Sequence, residues 1–173
     1  LEKSYKVLFL EADIRRPSVL NSFYKFDKEI FGLGEIISGT VELNSTIFKV
    51  PGTNLDIITS GAKRFDMSDV VSKEQLKKFF DILKLEYDYL IIDSPPVQPV
   101  SDTLILTQSV DYNLFIVRSD HSRLLSFMSS VKKVQNVGAK IDGIIINDLD
   151  TSKDSYYYNY YNYDYSSYYS KNT

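Results

Sequence analysis

The sequence predicts an α/β domain, a mostly parallel sheet flanked by helices, followed by a disordered tyrosine-rich tail. Three observations carry this. Short, almost wholly apolar runs recur along the chain, as in strands buried on both faces of a parallel sheet. They alternate with segments whose apolar residues fall at helical spacing. The stretch 156–169 reads YYYNYYNYDYSSYY, with no Leu, Ile or Val to build a core. Residues 1–150 are therefore expected to form one domain and 151–173 a tail.

The first strand is Lys6 to Glu11 (KVLFLE), an apolar run ending in an acid. Ala12 to Pro17 (ADIRRP) reads as a loop, since Pro17 blocks strand pairing. Val19 to Phe31 gives no clear pattern. Leu33 to Ser38 reads as a short helix closed by Gly39, and Leu43 to Val50 stays open. Leu55 to Thr59 (LDIIT) is a strand stopped by Ser60-Gly61. Ser72 caps a helix running to about Leu85, with Leu76, Phe79, Phe80 and Leu83 at helical spacing. Tyr89 to Asp93 (YLIID) is a second buried strand ending in an acid, terminated by Ser94-Pro95-Pro96. Ser101 and Asp102 open a short helix with Leu104, Ile105 and Leu106. Asn113 to Arg118 is a strand. Leu124 to about Val137 is a helix expected to turn Leu125, Met128, Val131 and Val134 inward, ending at Gly138. Ile141 to Asn147 is the last strand. There is no internal repeat.

Composition narrows the function. A chain of 173 residues fits one domain plus a tail, and the part before the tail is long enough for a real core. The net charge of −3 provides no basic field for nucleic acid. Cysteine is absent and His121 is the single histidine, so disulfides, Cys-based metal sites and His clusters are excluded. No apolar run approaches the roughly 18–20 residues of a membrane span, and no signal peptide is recognisable. The chain begins with Leu1, within what reads as the end of a helix, and is expected to be a piece of a longer protein.

In parallel sheets ligands bind outside the carboxyl ends of the strands. Two strands deliver acids there, Glu11 and Asp13 from the first and Asp93 from the second. Mg²⁺ takes oxygen ligands, usually one or two carboxylates plus substrate phosphates. An apolar strand ending in Asp is the Walker B pattern of P-loop enzymes; as an isolated feature it is more often an ordinary strand end or helix cap, and two such strands in one domain strengthen the functional reading. Arg15 and Arg16 suit phosphate or carboxylate, and also suit a loop-anchoring surface pair. None of the seven glycines opens a G-x-x-x-x-G-K-[ST] loop, so the backbone nest and lysine that hold the phosphates are missing. Nine of the fourteen tyrosines, Tyr156, Tyr157, Tyr158, Tyr160, Tyr161, Tyr163, Tyr165, Tyr168 and Tyr169, crowd the tail. They form either a sticky terminus or a set of phosphate acceptors, each phosphate adding roughly −1.5 to −2 charge.

Taken together these residues resemble the bacterial tyrosine kinases (BY-kinases) of capsule and exopolysaccharide systems. VLFLEADIRRPS (Val7 to Ser18) is similar to that family's Walker A′ segment. YDYLIIDSPPVQPVSD (Tyr87 to Asp102) is similar to its Walker B and the Pro-Pro segment after it. The tyrosine cluster is the third feature, and VPGTNLDIITSG and GIIIND also look like the family. The resemblance implies a P-loop NTPase-like fold and protein tyrosine autophosphorylation, with ATP and Mg²⁺ as cofactors. It implies Asp13 and Asp93 as metal-holding acids, Asp13 as the base with Glu11 second, and Arg15 as the motif's arginine. Glu11 stands where the family usually has Asp. Asn147 is expected near the adenine, by analogy with related ATPases. The family's Walker A would fall before Leu1, so the chain by itself is expected to be inactive. The implied partners are further copies in a ring, a transmembrane activator domain or protein, and a tyrosine phosphatase, at the cytoplasmic side of the plasma membrane. Two other readings stay open. One is a partition- or septum-positioning ATPase of the same fold. The other is a non-catalytic scaffold whose tail another kinase phosphorylates.

Overall fold

The computed structural model describes residues 4–18, 30–62, 71–98, 101–119 and 121–149. The tyrosine-rich tail, with its nine candidate phosphoacceptors, and Asp120 lie outside the described residues. The central strand is β1 (Val7–Glu11). It pairs in parallel with β3 (Leu55–Ile58) on one side and β4 (Tyr89–Asp93) on the other. A short β2 (Phe48–Lys49) adds an antiparallel edge to β3, giving the order β2-β3-β1-β4. Strands β5 (Leu114–Arg118) and β6 (Gly143–Asn147) form a separate parallel pair. The sheet is thus mostly parallel, as its apolar strands predict.

The helices are α1 (Leu33–Ile37), α2 (Lys73–Leu83), α3 (Asp102–Thr107) and α4 (Leu124–Asn136). The start of α2 is fixed by a reciprocal cap. Ser72 Oγ accepts from the Gln75 N–H at 3.2 Å, and Gln75 Oε1 accepts from the Ser72 N–H at 2.8 Å, satisfying two donors the helix itself cannot. Ser101 occupies the N-cap position of α3 but makes no side-chain cap bond. Gly39 and Gly138 end α1 and α4 with positive φ, a conformation that costs glycine little.

One core sits between the sheet and α2. Leu8 and Leu10 of β1 and Ala12 and Ile14 beyond it meet Leu33, Ile58, Leu76, Phe80, Leu83, Tyr87 and Leu106. Phe80 is almost fully buried, which stabilises the fold by about 1.5–3 kcal/mol relative to exposure. Helix α4 differs from expectation. Its inward residues are Ser130 and Val134, with Phe127 packed edge-on against Phe115 of β5, while Leu125 and Met128 are exposed. This helix carries apolar residues around much of its circumference, so spacing alone does not select the buried stripe.

The expectation of strands buried on both faces holds in part for β1, where Leu8 and Leu10 are buried while Val7 and Phe9 on the other face are half-buried, and it fails for the far strands. Leu90 and Ile92 of β4 pack on the core. The alternate residues Tyr89 and Ile91, with Leu114 and Ile116 of β5 and Ile144 and Ile146 of β6, are exposed.

At the amino end of the sheet, the Tyr87 hydroxyl donates to Asp56 Oδ2 at 2.7 Å in a buried contact. Burial, then the Asp56 carboxylate, pushes the Tyr87 phenol well above its usual range. The variant Tyr87→Phe strands Asp56 without its donor, and such a loss costs about 2 kcal/mol. Its melting temperature should fall by roughly 4–8 °C in calorimetry; an unchanged value would remove this bond from the account of stability.

Candidate active site

The carboxyl ends of β1 and β4 build the site. Glu11 and Asp93 are register partners in neighbouring parallel strands, so both side chains leave the same face of the sheet. That face is opposite to Leu10 and Ile92, which enter the core. The Ala12 N–H donates to the Asp93 carbonyl at 2.7 Å, extending the pairing one residue beyond the strand. Asp13 follows at the top of β1. Its Oδ1 accepts from the backbone N–H groups of Arg15 (3.1 Å) and Arg16 (2.9 Å), a side-chain-closed turn that Asp forms readily.

Glu11 is completely buried. Its Oε1 accepts from the Ser18 N–H at 2.6 Å and its Oε2 from the Ser60 N–H at 3.0 Å. It thus joins the Walker A′-like loop to the end of β3. A second buried acid, Glu35, meets the same turn. It accepts from Gly32 N–H at 2.8 Å and from Ala62 N–H at 3.1 Å. Gly61, at φ +78°, has no room for a Cβ, which would strike the Glu35 carboxylate. Between these acids Ser60 is fully buried, and among the described residues its hydroxyl has no partner.

Asp93 differs from both glutamates. It is exposed, and among the described residues its carboxylate accepts no hydrogen bond. Its proton affinity lies above the ordinary carboxylate value of 3.8, from desolvation first and then from the negative charges of Glu11 and Asp13. An acid held near two others without compensating donors favours a cation. No group of three potential ligands converges tightly enough to cage a metal among the described residues. Mg²⁺ takes one or two carboxylates and completes its shell with phosphate and water, and the Asp93 carboxylate near that of Asp13 is a donor set of that kind.

Arg15 Nε lies 3.2 Å from Oδ2 of Asp102, whose side chain is almost entirely buried. Thr103 beside it donates through Oγ1 to the Pro95 carbonyl at 2.6 Å, which ties the start of α3 to the segment after Asp93. Of the residues selected from sequence, Glu11, Asp13, Arg15 and Asp93 gather at this edge. Asn147 ends β6 in the other sheet, where its Oδ1 accepts from the Asp148 N–H at 2.9 Å and its carbonyl from the Ser119 N–H at 2.9 Å. His121 is a loop residue whose Nδ1 lies 3.1 Å from the Ser119 carbonyl. Sequence reasoning missed Asp102 as the partner of Arg15, and missed Glu35. The signal for Glu35 was a lone acid between glycines in an otherwise apolar helix.

A parallel sheet with acids at the carboxyl ends of adjacent strands is an α/β domain with its ligand-binding edge at Glu11 and Asp93. Comparison with known proteins sharpens the class. The chain is 30% identical over 151 residues to the tyrosine-protein kinase ptk of Acinetobacter johnsonii, covering 87% of this chain and 20% of that protein. It is 28% identical to the tyrosine-protein kinase CpsD of Streptococcus pneumoniae, covering 88% of this chain and 66% of that protein. Among solved structures, the kinase domain of the Escherichia coli tyrosine kinase ETK superposes with a TM-score of 0.76 at 29% identity, covering 84% of this chain and 56% of that one. The septum site-determining protein MinD of Pyrococcus horikoshii, complexed with Mg-ADP, shares the fold at a TM-score of 0.64 and 21% identity, covering 83% of this chain and 58% of that one. No family model matches the sequence. The chain is a homologue of the bacterial tyrosine-protein kinases, and it spans between a fifth and about two thirds of the length of these curated relatives.

Proposed function

We propose that this chain supplies the metal-holding and proton-accepting part of an ATP-dependent protein tyrosine autokinase. The observation that carries the reading is the pairing of Glu11 with Asp93 at the ends of adjacent parallel strands, with Asp13 just beyond and the proton affinity of Asp93 raised. Asp13 and Asp93 would hold Mg²⁺. Bound there with ATP, the ion supplies neutralisation of phosphate charge, which with positioning is most of catalysis in phosphoryl transfer. Asp13 accepts the proton of the incoming tyrosine hydroxyl, whose free pKa is about 10. Glu11 is the weaker candidate, because both its oxygens already accept backbone N–H groups. Arg15 is the motif's arginine by resemblance, with its guanidinium on Asp102 and its backbone N–H on Asp13, and Asn147 is the candidate adenine contact. The acceptors are the tail tyrosines of a neighbouring copy. By resemblance the assembly is a ring at the cytoplasmic face of the plasma membrane. It works with a transmembrane activator and a tyrosine phosphatase, and it regulates capsule or exopolysaccharide export. No helix among the described residues is long and apolar enough to cross a membrane.

The test is an intact-mass spectrum of the full-length gene product after incubation with ATP and Mg²⁺, beside the variant Asp13→Asn. A ladder of phosphate additions is expected in the wild type. The variant should lose it by about 10²-fold or more in rate, at the lower end of the range for general acid–base groups. A wild type that turns over ATP without gaining phosphate would instead be an ATPase of the partition type.

A further inference from the structure

The pair Arg15–Asp102 closes an 87-residue span of sequence at the rim of the site. Three features make it more than a surface ion pair. Asp102 is buried while Arg15 remains partly exposed, so the carboxylate is the fixed member and the arginine the one held. Asp102 is also anchored from behind: it opens α3, and the adjacent Thr103 is bonded to the Pro95 carbonyl, two residues after Asp93. Finally, the backbone N–H groups of Arg15 and Arg16 are the donors that close the turn on Asp13 Oδ1. Holding the Arg15 side chain therefore holds the turn that aims Asp13.

We infer that Asp102 is a positioning residue, acting through Arg15 to fix the Asp13 turn relative to Asp93. This rests on the reading of Asp13 and Asp93 as the metal-holding acids. Groups that hold a ligating carboxylate in place without touching the ion commonly matter tenfold or more in metal affinity. A planar guanidinium donating through Nε to a buried carboxylate also sets direction in a way a lysine does not.

The experiment compares wild type, Asp102→Asn, Asp102→Glu, Arg15→Ala and the double variant Arg15→Ala/Asp102→Asn in the 173-residue chain. Two readouts are taken: amide hydrogen exchange at Arg15 and Arg16, and Mg²⁺ titration followed by the amide resonances of 11–16. Asp102→Asn should speed exchange at both amides severalfold, leave the capped start of α2 at Gln75 unchanged, and weaken Mg²⁺ half-saturation about tenfold. Asp102→Glu should restore part of each. The double variant should lose no more than the worse single one, because both changes cut one link. Unchanged exchange at Arg15 and Arg16, or additive losses in the double variant, overturns the inference. A wild type indifferent to Mg²⁺ would instead overturn the metal-holding reading, with the exchange data still deciding whether Asp102 fixes the turn.

Discussion

Asp93→Asn should raise the melting temperature of the metal-free protein and abolish its stabilisation by Mg²⁺. The two effects share one cause. Asp93 carries a raised proton affinity because it is partly desolvated and faces the charges of Glu11 and Asp13. A carboxylate whose folded pKa lies above its unfolded value binds more protons in the native state. Stability therefore falls as pH rises from 3.8 through the raised folded pKa, and the penalty is complete at neutral pH. The asparagine removes the charge and should flatten that slope. Because the group is exposed, solvent screening keeps the gain small, about 0.5 kcal/mol or roughly 1–2 °C. Mg²⁺ at about 100 times its Kd should stabilise the wild type by about 2.7 kcal/mol, or roughly 5–11 °C, and the variant not at all. Thermal melts from pH 4 to 8, with and without Mg²⁺, measure both. An equal Mg²⁺ response in the variant would remove Asp93 from the metal site.

What the sequence made legible was what one segment carries within itself. The apolar runs ending in Glu11 and Asp93 placed two acids at one sheet edge, because strand ends and sheet edges coincide in parallel folds. Ser72 announced the capped start of a helix, and its reciprocal partner Gln75 came from the structure. The failures need partners far along the chain. Asp102 meets Arg15 across 87 residues, and Glu35 meets Ala62 across 27; neither distance leaves a local pattern. Glu11 was read as a chemical group because it ends a strand beside Asp13. Its burial depends on the turns at Ser18 and Ser60, and folding alone brings those to it. The buried stripe of α4 and the open faces of β5 and β6 failed for a related reason, since an apolar residue shows what it can pack against and not what arrives to cover it.

Glu11→Ala should be the most destabilising change at the site, and its size separates framework from chemistry. The glutamate is wholly buried and joins two segments, 7 and 49 residues away in sequence, through backbone N–H groups. Truncation leaves both donors without this acceptor in a place water does not reach. Each such loss costs about 1–3 kcal/mol, so a total near 3 kcal/mol and a fall of roughly 6–12 °C are expected. Glu11→Gln keeps the shape but turns an amide NH₂ toward one of the two donors. It should cost about 2 kcal/mol, or roughly 4–8 °C. Glu11→Asp reaches one bond less far and should hold one of the two segments better than the other, falling between wild type and alanine. If Glu11 instead served chiefly as a ligand or base, glutamine would leave the melting temperature within a degree of wild type and remove Mg²⁺ binding. On the proposed reading of Asp13 and Asp93 as the metal-holding acids, the glutamine variant should melt early yet still respond to Mg²⁺ below its melting point. That pattern would assign Glu11 to holding the loop and the two aspartates to the chemistry.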